Sequence, residues 1–318
     1  AFRGDAGWVD VVRGVSFTLD PGQSLAVVGE SGSGKTVSAL SLMDLVPRPS
    51  GRAVWNALRL DGEDLPSPGD RRWEGLRGSR IAMVFQDPMT SLNPVMSVGA
   101  QIVEVLARHR RMNGTEALER ATELMAQVGI PEGGHRLRAY PHEFSGGQRQ
   151  RIMIAMALAG EPDVLIADEP TTALDVTVQA QIVELVRSLQ EARGLSLVWI
   201  THDLALVAGF ADRVAVMYAG RIVEEAPTGD LFKSPAHPYT ALLLRSAPRI
   251  HGGDERLVAI EGQPPDPASL PGGCPFAPRC PLVEERCRER EPELEAVRPG
   301  HHSACWRSAQ VSSWTPAS

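Results

Sequence analysis

The sequence predicts an α/β fold with a mostly parallel sheet, a helical insertion and a small Cys-rich C-terminal extension. Short apolar runs alternate with stretches of helical periodicity along much of the chain. The segment from about residue 94 to residue 160 has helical patterns and no convincing strand, and all four cysteines lie beyond residue 273. We therefore expect one large domain at 1–250, with its helical subdomain at about 94–160, and a separate C-terminal extension at 251–318.

The apolar runs have the length of strands that are buried on both faces of a sheet. They are Ser24–Val28, Ile81–Phe85, Val164–Ala167, Leu195–Ile200 and Val214–Met217. Helical periodicity separates several of them, and it also fills the predicted insertion. These helices are Val37–Leu45, Val98–His109, Thr115–Val128, Arg149–Leu158 and Val178–Glu191. Strands and helices that alternate in this way are typical of a parallel sheet with helices on both faces.

The composition and charge of the chain argue against some classes of function. The chain of 318 residues is 43% apolar and carries a formal net charge of −7. This acidic balance argues against a general nucleic-acid binder, which usually has a basic surface. No apolar run approaches the roughly 20 residues that span a bilayer, and no signal peptide is visible. We expect a cytosolic chain whose link to the membrane comes through partners.

A glycine-rich loop, Gly29–Thr36 (GESGSGKT), joins a predicted strand to a predicted helix. Its glycines let backbone N–H groups point at phosphates, and the helix adds the positive end of its dipole. Lys35 is one of only two lysines, the other being Lys233, and a compact ammonium fits between phosphate oxygens. Thr36 offers a hydroxyl to Mg²⁺. We predict that ATP contacts the whole loop, namely Gly29, Glu30, Ser31, Gly32, Ser33, Gly34, Lys35 and Thr36.

Polar residues follow three of the other predicted strands directly or closely. Gln86 follows the second strand, Asp168 and Glu169 follow the third, and His202 comes just after the fourth. Parallel sheets present functional groups at the carboxyl ends of their strands. We expect Asp168 to hold Mg²⁺ and Glu169 to orient and deprotonate the attacking water. His202 would contact the γ-phosphate, and Gln86 would sense both the metal and the water.

A second candidate phosphate site lies at Phe144–Gln148 (FSGGQ), where a helix begins. Ser145 suits the N-cap position, which by itself explains a serine there. The paired glycines add bare backbone amides at the positive end of the helix dipole. Two phosphate-binding elements far apart in one chain suggest a head-to-tail dimer that encloses ATP.

In their order along the chain, these motifs resemble those of ABC ATPase subunits. The resemblance covers roughly residues 1–250 and rests on Gly29–Thr36, Gln86, Phe144–Gln148, Val164–Glu169, Ala173–Asp175 and Thr201–Asp203. It implies that the partner's ATP is contacted by Ser145, Gly146, Gly147, Gln148 and Asp175, the last of which also communicates across the dimer. Such subunits stack adenine on an aromatic residue ahead of the loop. Phe2 is the first candidate and Trp8 the second.

Further segments resemble the ATPase subunits of dipeptide and oligopeptide importers, whose relatives include nickel importers. They are Phe85–Val98, His237–Leu244 (HPYTALLL) and the cysteine-bearing extension. This resemblance implies ATP and Mg²⁺ as ligands and a place at the cytoplasmic face of the membrane. It also implies two transmembrane permease subunits, an extracytoplasmic peptide-binding protein and a second ABC ATPase subunit. We expect that second subunit to be a different chain, although the sequence does not distinguish it from a copy.

The C-terminal extension contains the cysteines Cys274, Cys280, Cys287 and Cys305. Disulfides are disfavoured in a reducing cytosol, and the spacing lacks the close pair of a typical zinc site. Four thiolates suit an iron–sulfur cluster, and the similar extension of some peptide-importer ATPases holds 4Fe-4S. We therefore predict a 4Fe-4S cluster, with zinc as the alternative and unliganded or disulfide-bonded thiols as the third possibility. The nearby His301 and His302 are expected to be solvated loop residues.

Other functions remain open from sequence alone. The same ATPase type powers uptake of nickel or other small solutes. An ABC-type ATPase could instead act on nucleic acid, with the extension as its binding module, but the acidic balance disfavours this. A regulatory ATPase that responds to oxidants is a third hypothesis. Peptide import, without nucleic acid as a partner, is the leading prediction.

Overall fold

A computed structural model describes residues 1–5, 7–131, 133–172, 174–246, 260–311 and 313–314. The chain divides into two compact units. The first contains Ala1–Leu19, Ser24–Asn56 and Ile200–Ser318, and the second contains Asp20–Gln23 and Ala57–Trp199. The predicted domain boundary at residues 250 and 251 lies outside the described residues.

The strands and helices are as follows, in chain order. The strands are β1 (Phe2–Gly4), β2 (Gly7–Val9), β3 (Ser24–Val28), β4 (Arg59–Leu60), β5 (Glu63–Asp64), β6 (Ile81–Val84), β7 (Val164–Asp168), β8 (Ser196–Thr201), β9 (Arg213–Tyr218), β10 (Arg221–Pro227), β11 (Glu295–Arg298) and β12 (His301–Ser303). The helices are α1 (Lys35–Leu42), α2 (Trp73–Leu76), α3 (Pro88–Ser91), α4 (Val98–Arg110), α5 (Gly114–Gln127), α6 (Gly133–Arg136), α7 (Gly146–Ala159), α8 (Val176–Arg193), α9 (Leu204–Val207), α10 (Thr228–Lys233), α11 (Pro238–Ser246), α12 (Glu285–Glu289) and α13 (Ser308–Val311). Short 3-10 turns occur at Pro141–Glu143 and Ala277–Arg279.

The predicted strands are all present. The structure places each of them within one residue of its expected ends. The pairs β3 with β9 and β6 with β7 are parallel, and helices connect the strands as expected. The predicted α/β class with parallel strands is confirmed.

In the first unit the strand order is β11-β12-β10-β9-β3, and the pairs beyond β9 are antiparallel. Strands β10, β11 and β12 were not predicted from the sequence. Only Ala219 and Gly220 join β9 to β10, and their φ angles are 46° and 81°. Positive φ at both positions is the two-residue hairpin turn whose twist suits paired antiparallel strands. So short a connection leaves no room for the crossover that a parallel strand requires.

The C-terminal extension packs into the core of the first unit. Phe276 is 1% exposed and lies in one hydrophobic cluster with Tyr218 and Tyr239. The ring centroids of Phe276 and Tyr218 are 5.3 Å apart and edge-on, and those of Phe276 and Tyr239 are 5.4 Å apart. Aromatic rings in this range attract each other beyond the gain from burial alone. The extension is therefore anchored by an aromatic side chain despite its high content of proline and glycine.

The second unit combines the neighbouring strands β8, β7 and β6 with helices α4, α5 and α7, which pack on one another. The last two residues of β8 belong to the first unit. These helices bury an apolar face whose fully enclosed members include Ile102, Leu106, Leu124, Met125 and Ile152. Among the described residues of 94–160 the structure has helices and no strand, as predicted. No helix in the described part of the chain is both long and apolar enough to cross a membrane.

Candidate functional site

The loop Gly29–Thr36 leads from β3 into α1 with a backbone that requires glycine. Gly32 and Gly34 have φ angles of 81° and 101°, which side chains disfavour. A Cβ at Gly29 would lie 2.2 Å from the carbonyl oxygen of Met217. Gly34 is the N-cap of α1, and no side chain caps the helix. The start of α1 therefore presents the positive end of the helix dipole at a glycine-rich turn, which is the arrangement that binds anions.

Lys35 is buried and lies against this loop. Its Nζ donates hydrogen bonds to the carbonyl oxygens of Gly29 at 2.8 Å and Glu30 at 3.1 Å. The hydroxyl of Ser33 is also buried, and it has no hydrogen-bond partner in the described structure. A buried hydroxyl without a partner costs free energy, and a phosphate oxygen would supply the missing acceptor. The buried ammonium of Lys35, the hydroxyl of Ser33 and the glycine-rich turn together fit a phosphate chain.

A second group of predicted residues lies in the second unit, where Glu169 follows β7. Its Oε2 accepts hydrogen bonds from Gln86 Nε2 at 3.1 Å and from Thr172 Oγ1 at 3.0 Å. The backbone φ of Glu169 is 45°, a conformation that non-glycine residues rarely adopt. Asp168, the last residue of β7, is 2% exposed. The structure thus brings Gln86 and Glu169 together, and two hydrogen bonds to Oε2 hold the carboxylate of Glu169.

Helix α7 begins at the FSGGQ segment with a reciprocal capping arrangement. Ser145 Oγ accepts the Gln148 N–H at 3.3 Å, and Gln148 Oε1 accepts the Ser145 N–H at 3.1 Å. This capping box fixes the first turn of the helix. Ser145 and Gly146 are nevertheless exposed, so this end of the helix remains accessible to a ligand.

The FSGGQ segment packs against the start of α8. Asp175 caps α8 by accepting the Val178 N–H at 3.0 Å. A Cβ at Gly147 would lie 2.7 Å from Val178 Cγ1, and one at Gly146 would lie 3.6 Å from Leu174 Cδ2. Glycine at position 147 therefore allows the two helix starts to approach. The residues predicted to serve a partner's ATP lie together in one unit, although Ala173 is outside the described residues.

The remaining predicted site residues lie in the first unit. His202 is exposed, directly after β8 ends, and precedes the N-cap of α9, Asp203. Phe2 is partly buried in β1, where it pairs with Val9. Trp8 is 44% exposed and lies under the guanidinium of Arg52 at 4.5 Å. The choice between Phe2 and Trp8 as the adenine-stacking residue stays a prediction.

Three side chains that support these groups were not predicted from the sequence. Thr172 holds Glu169, as described above. Tyr239 and Arg279 contact Glu30, the second residue of the phosphate-binding loop. A hydroxyl three residues after a proposed base was a local signal for Thr172. Tyr239 lies in the HPYTALLL segment, which the sequence alone indicated only as a helix start with Pro238 in its first turn.

The predicted metal site in the C-terminal extension is wrong. Among the described residues, no group of three or more His, Cys, Asp or Glu side chains is placed to hold a metal ion. The structure therefore supports neither the predicted 4Fe-4S cluster nor the zinc alternative at Cys274, Cys280, Cys287 and Cys305. All four are free thiols that line one small cavity, together with apolar side chains such as Phe276 and Leu282.

Burial also favours the protonated form of three of these thiols. Metals bind the thiolate, and burial disfavours that charged form. It raises the pKa of Cys280 and of Cys305 to about 12, and it raises the pKa of Cys274 above its ordinary value. The solvated position expected for His301 is also wrong. His301 is 1% exposed in β12, with Nε2 at 2.7 Å from Glu224 Oε1.

The raised thiol pKa values predict that the folded protein loses stability at alkaline pH. Below the pKa of an unfolded cysteine, about 8.5, both states hold protonated thiols and this contribution to stability is fully present. Above it the unfolded chain loses protons while Cys280 and Cys305 keep theirs, so the free energy of unfolding falls until about pH 12. We expect urea midpoints to fall between pH 9 and pH 11. The urea midpoint should fall less in the Cys280→Ala/Cys305→Ala variant. An equal fall in the variant would contradict the raised pKa values of these two thiols.

Comparison with known proteins identifies two matching family models. The model described as ABC transporter matches residues 12–172, and that described as oligopeptide/dipeptide transporter, C-terminal region, matches residues 223–287. The chain is 49% identical over 307 residues to the oligopeptide transport ATP-binding protein OppD of Bacillus subtilis, covering 96% of this chain and 86% of that protein. It is 48% identical over 310 residues to the dipeptide transport ATP-binding protein DppD of the same organism, covering 98% and 92%.

Solved structures share the fold. The dimeric, post-hydrolysis state of an ATP-binding cassette bound to ADP and phosphate matches with a TM-score of 0.60 and 28% identity. The match covers 69% of this chain and 90% of that one. The cbiO1 protein of Clostridium perfringens, part of an ABC transporter complex, matches with a TM-score of 0.59 and 29% identity, covering 70% and 84%.

Proposed function

The chain belongs to the ABC transporter family as an ATP-binding subunit, and from this membership we propose that it hydrolyses ATP to drive the import of dipeptides or oligopeptides. One observation carries the choice of substrate. Residues 223–287 match the C-terminal region of oligopeptide and dipeptide transporters, and the OppD and DppD proteins are named for these cargoes. Uptake of nickel or another small solute, the alternative from sequence, has no such support.

We assign the steps of hydrolysis residue by residue. The loop Gly29–Thr36 binds the phosphates, with Lys35 as the neutralising cation. Thr36 and Asp168 would hold Mg²⁺, which would supply positive charge to offset the negative charge of the phosphate oxygens. Glu169 orients the attacking water and accepts its proton. Gln86, which is hydrogen-bonded to Glu169, senses whether the metal and the water are bound. His202 contacts the γ-phosphate.

We propose that two ATPase subunits enclose ATP between them. In this arrangement the partner's nucleotide is contacted by Ser145, Gly146, Gly147, Gln148 and Asp175. The exposed start of α7 supports the assignment, because it presents two glycines in the first turn of a helix at the positive end of the helix dipole. The two ATPase subunits would close around ATP and separate again after hydrolysis, and this movement would drive transport.

The same proposal includes the other parts of an importer. The subunit acts at the cytoplasmic face of the membrane, where it is attached through two transmembrane permease subunits. The second ATPase subunit is a different chain, and an extracytoplasmic protein delivers the peptide. Nucleic acid is not among the proposed partners.

The proposal predicts that peptide stimulates ATP hydrolysis only in the assembled importer. We expect the complex, purified with its permeases and reconstituted in vesicles, to hydrolyse ATP several-fold faster when a peptide-loaded binding protein is added. The control is the same binding protein without peptide, and a parallel reaction supplies nickel instead. Stimulation by nickel alone, or co-purification of the chain with no membrane protein, would contradict peptide import.

A further inference from the structure

Glu30, in the phosphate-binding loop Gly29–Thr36, is held by two groups from outside the loop. Its carboxylate forms a two-point ion pair with the guanidinium of Arg279, with Nη1–Oε2 at 2.7 Å and Nη2–Oε1 at 3.0 Å. Its backbone N–H donates to the hydroxyl of Tyr239 at 2.8 Å. Tyr239 belongs to α11, and Arg279 belongs to the C-terminal extension. One loop residue therefore has both its side chain and its main chain fixed by distant parts of the sequence.

Arg279 is itself held rigidly. Its side chain is 4% exposed, and Nε donates to the carbonyl oxygen of Glu261 at 2.9 Å. Nη1 also donates to the hydroxyl of Tyr218 at 3.3 Å. The hydrogen bond to Glu30, followed by that to Tyr218, raises the pKa of Arg279 despite its burial. A planar guanidinium that is fixed in this way loses little entropy when it pairs with a carboxylate.

The charge of Glu30 makes this contact relevant to nucleotide binding. A carboxylate in the loop repels the polyanionic phosphates, and the repulsion is strong where water is partly excluded. Pairing with Arg279 neutralises the carboxylate within the first unit. Tyr239 adds a hydrogen bond that restrains the backbone at the same residue, next to the carbonyl of Gly29 that receives Lys35.

We propose that Arg279 and Tyr239 are positioning residues for the phosphate-binding loop, so that the folded C-terminal extension raises the affinity of the chain for ATP. Neither residue contacts the nucleotide in this proposal. They act through Glu30 by fixing its backbone and cancelling its charge. The inference rests only on ATP binding at Gly29–Thr36, and it is independent of which solute the importer carries.

The test measures the dissociation constant of a fluorescent ATP analogue for the full chain, along with KM and kcat for ATP. Arg279→Ala should weaken binding about tenfold, because it leaves an unpaired carboxylate in the loop. Arg279→Lys keeps the charge and should recover part of the loss. Tyr239→Phe removes one neutral hydrogen bond while keeping the ring, and should weaken binding about threefold. KM should rise while kcat changes little, because the chemical groups are untouched.

A double-mutant cycle isolates the ion pair. Removing the charge of Glu30 should offset the loss of Arg279, so Arg279→Ala/Glu30→Gln should bind ATP more tightly than Arg279→Ala alone. Glu291→Gln is the matched control, because Glu291 forms a similar two-point ion pair from the extension to Arg13 instead of to the loop. It should leave ATP binding within about twofold of the parent chain.

Two results would overturn the inference. One is ATP binding by folded Arg279→Ala and Tyr239→Phe that equals binding by the parent chain. The other is an equal loss in Glu291→Gln, which would mean that any loosening of the extension has the same effect. If Arg279→Ala does not fold, Tyr239→Phe and Arg279→Lys decide the question. Failure of peptide to stimulate the importer would affect the proposed function alone.

Discussion

Replacing Glu169 with Gln is expected to lower kcat for ATP at least about 100-fold while leaving ATP binding intact. Glutamine keeps the size of the side chain and an oxygen for the hydrogen bonds from Gln86 and Thr172. It cannot accept the proton of the attacking water. Single-turnover hydrolysis and analogue binding, measured on the same preparation, separate the two effects.

The same variant should reveal the closed dimer. Without hydrolysis, ATP should keep the two proposed ATPase subunits together, so sedimentation of the variant mixed with its partner subunit should show an ATP-dependent dimer that ADP does not produce. The matched control is Glu184→Gln, which alters an exposed carboxylate on α8. It should behave as the parent chain does. Near-normal turnover by Glu169→Gln would refute its role as the base.

Replacing Lys35 with Ala is expected to weaken ATP binding about 100-fold. The change removes the buried ammonium that lies over the carbonyl groups of Gly29 and Glu30, and with it the cation that neutralises the phosphates. Isothermal titration with ATP measures the loss directly. Circular dichroism of the same sample establishes that the variant has folded.

The composition of the chain supplies the control for this experiment. The only other lysine is Lys233, which is exposed at the end of α10. Lys233→Ala removes the same charge from the same chain without altering the loop, and it should bind ATP as the parent does. If the two variants bind ATP equally well, Lys35 is not part of the phosphate-binding site.

Sequence alone predicted the features that depend on local pattern. The strand before the phosphate-binding loop is recognisable because a buried strand needs a continuous apolar run, as in Ser24–Val28. The rule that parallel strands present their carboxyl ends at one edge anticipated that Gln86 and Glu169 would have related functions. The structure joins these two side chains, which are 83 positions apart, by a hydrogen bond.

Contacts that depend on long-range packing could not be predicted. Arg279 and Glu30 are 249 positions apart, and neither residue type is unusual in its segment. The cysteine prediction failed for a related reason. Spacing and residue type indicate which atoms could bind a metal, but only the fold determines how those side chains are arranged in space, and among the described residues no three of them are placed to hold an ion. His301 was mistaken for a solvated residue because its acidic partner, Glu224, is remote in sequence.

The buried carboxyl group of Glu224 limits which C-terminal extensions can be exchanged between related subunits. Fully buried on β10, it accepts hydrogen bonds from the backbone N–H groups of Ala236 and His237 and lies against His301 of the C-terminal extension. An extension transferred from a relative would have to bring a compatible hydrogen-bond partner for this buried carboxyl group. It would also have to supply a cation for Glu30. Recombination between homologous subunits is therefore constrained to exchange the extension together with its contact residues in the ATPase core.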